Sequence, residues 1–588
     1  MTSTWVTLAV LLSGVCVVVG GVLWMRLHAF LALTLGALVV AALTPSAAIE
    51  RFHVRRLSAK VFEFDAIAET LTLAGKPSAG LGPGTVLEVV DLTTDDGHPD
   101  VLGQIVIERV IPKADDDDED RVLARRDGEW SMTGLDPEFA GLAVIDPLDR
   151  GRAVSTSTRT IGERVAEGFG RTCTGIGILL ALAAIIGKSL LDSGAAERIV
   201  RTALRWFGEA GAPAAFMLSG FLLGIPVFFD TVFYLMMPLG KALRVRTGRN
   251  YLVYVLTIVC GGTMAHSLVP PTPGPLFVAD ELGVSLATMI VGGGIVGLAC
   301  GAFGYVYATI AGKIWDLPLR DTGEVSLEEL TAAAEVDESE LPSLWLSLTP
   351  ILLPVLLIMA YAVVDAVADM PVVADGKAPI AKNIVAACGL VDANGSPQRW
   401  LKTVGNKNIA LGIAAAVGLL TLVWQKRQSR RDLAKGVGVA LESGGVIILI
   451  TAAGGAFGGV LRETGVAELI RDLPRSSPAM ICVLAFLITT AIRTAQGSAT
   501  VAMITAVGVL SGLAKGGDLG FHPVYLALAI GCGSKPIAWM NDSGFWVITK
   551  MSGMTEGEGL KYITPMTACM GLVGLLMVVI GVTLFPMV

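Results

Sequence analysis

Apolar runs, many of them long enough to span a bilayer, recur along the chain. They occupy Trp5–Trp24, Ala29–Ala48, Cys173–Leu191, Pro213–Leu239, Tyr251–Ala279, Gly283–Gly312, Leu344–Val364, Ile409–Trp424, Ser443–Leu461, Pro478–Ile492, Thr494–Leu513, Pro523–Ser534 and Ile563–Val588. A bilayer core needs about 20 apolar residues per helix, so the pattern predicts an all-α polytopic membrane protein. The first run has no basic segment before it and no small-residue cleavage site after it, which reads as a membrane helix rather than a signal peptide. Between the second and third runs the period changes. Lys60–Phe64, Thr85–Leu92, Val101–Ile111 and Glu138–Ile145 are strand-like, separated by turns such as Leu81-Gly82-Pro83-Gly84 and Asp96-Gly97. This predicts a small β-rich insert over 50–160, with Asp115–Asp120 as a solvated acidic loop. The expected division is 1–49 (two membrane helices), 50–160 (insert), 161–315 (first membrane repeat), 316–343 (polar linker) and 344–588 (second membrane repeat).

The two repeats are visible as a short match. Asp192–Ile199 (DSGAAERI) pairs with Glu463–Ile470 (ETGVAELI), and Gly187/Gly458, Leu190/Leu461, Gly194/Gly465, Ala196/Ala467 and Glu197/Glu468 are identical at the same offset. Each copy ends an apolar run and opens an amphipathic stretch, Ala195–Phe207 or Val466–Leu473, expected on the membrane surface. A Gly-interrupted segment follows each. The basic loops Lys241–Arg249 and Lys426–Lys435 point to the cytoplasm. On that orientation Pro213–Leu239 reads as a re-entrant hairpin from the inside, the segment around Thr490–Leu513 as an inverted one from the outside, and the insert as extracytoplasmic.

Composition narrows the function. The 588 residues are 53% hydrophobic and only 16% charged, with net charge −8. Neither a soluble globular chain nor a nucleic-acid binder fits these values. The eight cysteines form no CxxC or zinc spacing, and no nucleophile–base or HExxH motif suggests an enzyme. No cofactor or metal is expected. Irregular backbone at membrane depth is tolerated only where it is buried or lines a cavity. Four Pro/Gly clusters therefore mark a candidate site at the repeat interface: Gly224–Thr231, His266–Pro275, Arg493–Thr500, and Gly531–Pro536 with Asn541–Trp546. Broken helix ends expose N–H groups suited to a carboxylate. The candidate binding residues are Asp230, Thr231, His266, Ser267, Gly274, Arg493, Gln496, Gly497, Ser498, Thr500, Ser534, Asn541, Asp542 and Ser543, with Arg493 or Lys535 balancing substrate charge. Asp230 and His266 are the candidate proton carriers. Both also have structural readings, as a hairpin-tip acceptor and as a neutral His bonded within the break. Asp542 is expected to cap the helix that begins near Ser543.

These four motifs resemble those of the gluconate permease (gluconate:proton symporter) family, within the ion transporter superfamily, over about residues 5–49 and 161–588. The resemblance implies a proton-coupled secondary transporter of sugar acids in the bacterial inner membrane. It further implies a homodimer whose transport domain moves as an elevator against a scaffold. Thr272 and Trp539 stand where the family pattern has histidines, and the insert has no counterpart. A Na⁺-coupled carboxylate or amino-acid transporter, or a membrane sensor using the insert to bind ligand, remain alternatives on the residues alone.

Overall fold

The computed structural model describes residues 2–25, 27–65, 70–74, 82–92, 98–111, 119–127, 142–248, 250–320, 341–368, 380–392, 395–427, 429–464, 477–515, 519–540 and 542–587. Among them, seven helices are long and apolar enough to cross a membrane: Ile161–Asp192, Tyr251–Glu281, Leu286–Ile314, Leu344–Ala368, Lys407–Lys426, Arg430–Arg462 and Glu556–Leu584. Several begin earlier than hydropathy indicates. Arg430, Arg431 and Lys435 are helical rather than part of a loop. The last helix starts at Glu556 because Thr555 and Glu558 form a reciprocal capping box. The run Ala29–Ala48 is not one straight helix. It bends by 98° between Ala29–Leu43 and Ser46–Leu57, because Pro45 cannot continue the first helix and starts the second.

The chain divides into two compact units. The first comprises Met1–Val18, Thr34–Gly168 and Ala456–Leu473. Its strands are β1 (Ala59–Asp65), β2 (Thr70–Ala74), β3 (Val86–Asp91), β4 (Asp100–Ile111), β5 (Glu119–Asp127) and β6 (Leu142–Ile145). They close into an antiparallel barrel in the order β1-β2-β5-β4-β3-β6. β3 lacks polar alternation because both its faces are covered. Val90 and Leu92, with Ala143 and Ile145 of β6, pack under Val54 and Ala153 of two flanking helices. Leu87, Val89 and Val144 occupy the other parity and are equally buried. Neither β2 nor the charge-rich β5 is among the expected strands, although the Thr70-Leu71-Thr72-Leu73 alternation of β2 is a strand pattern. Glu119 and Asp120 of the acidic run open β5 opposite Ala74 and Leu73, and the rest of that run lies outside the described residues. Of Glu138–Ile145, only the β6 residues are described.

A buried ion cluster ties two segments of this unit, Thr34–Gly168 and Ala456–Leu473. The Arg164 guanidinium donates twice to Glu463 Oε2, at 2.9 and 2.6 Å, and once to the Ala41 carbonyl at 3.0 Å. His53 Nε2 lies 3.4 Å from Glu463 Oε1. Burial alone would raise the Glu463 carboxyl, but His53 and Arg164 outweigh it and hold the group below its ordinary value.

The second unit comprises Val19–Leu33, Phe169–Gly455 and Pro474–Val588. Its framework is helix packing through small residues. A Cβ on Gly261 would overlap the Met217 carbonyl oxygen, and one on Gly293 would overlap that of Leu268. Four apolar segments are broken into helix pairs: Ala212–Leu223/Phe229–Thr247, Tyr251–Leu268/Pro273–Glu281, Pro478–Gln496/Ala499–Lys515 and Val524–Gly533/Ser543–Ser552. Each break has a backbone cause. Pro226, the Pro270-Pro271 pair and Pro536 remove donors. Gly497 ends its helix at φ +83°, a left-handed conformation that favours glycine, with its N–H donating to the Arg493 carbonyl. Ala195–Phe207 is helical. Its repeat counterpart Val466–Leu473 lies outside the described residues.

Candidate functional site

The four breaks converge on one cavity of about 390 Å³ inside the second unit. That volume falls within the range of small-molecule pockets, about 300–1,000 Å³. Asp230 and Thr231 reach it from the first turn after one break, and Val259, Thr263 and His266 from one face of Tyr251–Leu268. Arg493, Ser498 and Thr500 flank the third break, and Ser534, Lys535 and Asp542 the fourth.

Charge is concentrated and unevenly paired. Arg493, only 4% exposed, pairs through Nη2 with Asp542 Oδ2, and its Nε donates to the Ser534 carbonyl at 3.1 Å. Asp542 Oδ1 accepts the Gly544 N–H at 2.9 Å, so this carboxylate also caps the helix Ser543–Ser552. Lys535 is buried but forms no ion pair among the described residues; its ammonium donates to the Thr263 carbonyl at 2.8 Å. Asp230 likewise forms none, and the other carboxylate facing the same space, Asp542, is already committed to Arg493. Two buried nitrogens on cavity residues have no hydrogen-bond partner, His266 Nδ1 and Arg493 Nη1. A buried polar group without a partner is costly, so both are open to a ligand or to ordered water.

Of the residues expected from sequence, Asp230, Thr231, His266, Arg493, Ser498, Thr500, Ser534 and Asp542 line the cavity. Ser267, Gly274 and Gly497 are not part of its lining. Ser267 is fully buried on another face of its helix. Gly274 is where the helix beginning at Pro273 approaches Thr500 and Met503, and a Cβ there would overlap Met503 Cε. Gly497 serves as the helix cap. Asn541 lies outside the described residues, and only the backbones of Gln496 and Ser543 are described. The departures at 272 and 539 also point elsewhere. The Thr272 hydroxyl donates to the Val269 carbonyl at 2.6 Å and the Trp539 indole to the Thr494 carbonyl at 3.0 Å, and neither side chain lines the cavity.

Sequence reading missed a row of hydroxyls: Thr263, Ser443, Thr451 and Thr567. The available signal was helical spacing. Ser443, Ile447 and Thr451 recur every four residues on Arg430–Arg462, as do Ile563 and Thr567 on the last helix. The hydroxyls of Thr263, Thr451 and Thr567 donate to carbonyls of their own helices at 2.8, 2.7 and 3.0 Å. Their oxygen lone pairs therefore remain free to accept hydrogen bonds from a hydroxylated ligand.

Several bilayer-length helices, with breaks that meet at a polar, charged cavity, define a multi-pass membrane permease. The chain belongs to the GntP permease family, whose model matches residues 148–584. A gluconate permease of Pseudomonas aeruginosa is 31% identical over 416 residues, covering 70% of this chain and 86% of the relative. A low-affinity gluconate transporter of Escherichia coli K12 is 28% identical over 436 residues, 74% of this chain and 89% of its own. The Gnt-II system L-idonate transporter of the same strain is 27% identical over 427 residues, 72% and 90%. Among solved structures, the YdaH transporter of Alcanivorax borkumensis, reported as having an unusual topology, matches with TM-score 0.50 at 15% identity, covering 77% of this chain and 94% of its own. That likeness is one of fold.

Proposed function

We propose that this chain is a secondary active transporter of gluconate or a related sugar acid in the bacterial inner membrane, driven by proton symport. The observation that carries the reading is the unequal pairing of charge in the cavity. Arg493 and Asp542 neutralise each other, which leaves the Lys535 ammonium and the Asp230 carboxyl. With Asp230 ionised the cavity is neutral overall. With Asp230 protonated it carries one positive charge, the complement of a single carboxylate. Proton and anion then favour each other's binding, and linkage makes that coupling reciprocal. The hydroxyls of Thr231, Thr263, Ser443, Ser498, Thr500, Thr451 and Thr567 suit a polyhydroxylated chain. The names borne by the relatives, gluconate and L-idonate, belong to the same chemical class. Elevator movement of the broken-helix core and a dimeric scaffold, implied by the family resemblance, belong to this reading, as does an extracytoplasmic insert.

Calorimetric titration of the purified protein with gluconate, in buffers of different ionisation enthalpy, tests the coupling. The expected result is uptake of about one proton per anion bound and an affinity that falls as pH rises. Asp230→Asn is expected to bind gluconate with no proton uptake and no pH dependence over the same range. Gluconate binding by the wild type without proton uptake contradicts the role given to Asp230.

A further inference from the structure

Behind the cavity lies a second, much smaller space of about 10 Å³, between the helices Ile161–Asp192 and Arg430–Arg462 and two of the breaks. Leu180, Ala183, Val227 and Gly444 give it an apolar lining. The one hydroxyl on its wall, that of Thr272, already donates to the Val269 carbonyl. The space is therefore small and mostly apolar.

Three residues border both spaces: Phe228, Pro273 and Ile447. The chain crosses the partition at each. Pro226 and Val227 face the small space, whereas Phe229, Asp230 and Thr231 face the cavity, so residue 228 is the point of passage. Pro271 and Thr272 lie behind, and Pro273 borders both; Gly444 lies behind, Ser443, Ile450 and Thr451 lie in front, and Ile447 is shared. Phe228 differs from the other two in its backbone and its bulk. It sits in the extended residue just before the helix Phe229–Thr247, so no helical hydrogen bond depends on its side chain. Its ring stands edge-on to His266, with centroids 6.3 Å apart.

We propose that Phe228 sets the length of substrate the cavity accepts, its ring being the wall between the cavity and this small apolar space. Shortening this side chain joins the two spaces and makes room at the His266 end for a longer acid. The inference rests on the sugar-acid reading above and adds a specificity-determining residue to it.

The test compares uptake of gluconate and of the one-carbon-longer heptonate by the full-length protein in proteoliposomes, for wild type, Phe228→Leu and Phe228→Ala. Heptonate is longer by one hydroxymethylene, and the size of one carbon against a fitted wall is worth about tenfold in discrimination. The heptonate/gluconate ratio of kcat/KM should therefore rise by about that factor in Phe228→Ala, and by less in the same direction in Phe228→Leu. Thermal melting of the purified variants checks their folding, and if Phe228→Ala does not fold, the Phe228→Leu ratio decides. A ratio that stays at the wild-type value while gluconate uptake persists overturns the inference alone. A wild type that carries neither acid overturns the functional reading and this inference with it.

Discussion

Asp230 is the only charged residue between Pro213 and Leu239, and its placement in the lining of a cavity agrees with the cost of leaving it elsewhere. An Asp at the centre of a membrane helix is unfavourable by about 2.5–3.5 kcal/mol on insertion scales, and Asp230, which makes no direct ion pair among the described residues, retains part of that cost unless it can take a proton. Asp230→Asn should therefore retain exchange of internal for external gluconate while losing accumulation driven by a proton gradient, as read by counterflow and by net uptake in the same vesicles. Arg493 behaves differently. It is bonded to Asp542 and to the Ser534 carbonyl, so Arg493→Gln leaves a buried carboxylate without its partner. Breaking such a pair costs about 3–5 kcal/mol, and the melting temperature should fall together with gluconate binding. The chemistry of these residues was legible from the sequence because charge is rare in apolar runs. The hydroxyls of Thr263, Ser443, Thr451 and Thr567 were not, because a Ser or Thr inside an apolar helix also satisfies itself on its own backbone, and only the fold tells which face meets the cavity.

At the scale of elements, the breaks were legible and the helix ends were not. Proline and glycine act through the local backbone, so Pro226, Pro270, Pro271, Gly497 and Pro536 marked their positions without tertiary information. Helix starts such as Ile161, Arg430 and Glu556 lie among polar residues and depend on caps or on tertiary packing that hydropathy does not register. Glycine shows the same division. Gly261 and Gly412 are both helical, but a Cβ on Gly261 would overlap the Met217 carbonyl oxygen, whereas one on Gly412 meets nothing within 4 Å. Gly261→Ala should force apart the helices Ala212–Leu223 and Tyr251–Leu268 and markedly lower the melting temperature. Gly412→Ala should leave it unchanged or raise it, since alanine is favoured over glycine in a helix by about 1 kcal/mol. Equal effects of the two substitutions would contradict the packing described here. The strand β5 escaped notice for a related reason: in a closed barrel, pairing with neighbours holds a charge-rich strand, Glu119–Asp127, that its own side chains do not announce.

At the scale of the whole molecule, the first unit depends on the contact of Arg164 and His53 with Glu463. Because the folded state holds the Glu463 carboxyl below its ordinary value, the pair contributes stability above that value, 4.5, and loses it as pH falls through the depressed one. Glu463→Gln should remove that acid sensitivity and lower the melting temperature at neutral pH. Loss of the exposed Arg159–Glu167 pair should change little, because such surface pairs are worth about 1 kcal/mol or less. A dual reporter inserted after Gly97 tests the placement of the insert, and an extracytoplasmic signal is expected. Transport itself is tested by labelled gluconate uptake into proteoliposomes under an inward proton gradient. The expected result is accumulation above the external concentration that collapses on adding a protonophore and is absent with Asp230→Asn. No accumulation under a proton gradient, or accumulation driven by a Na⁺ gradient alone, would contradict it.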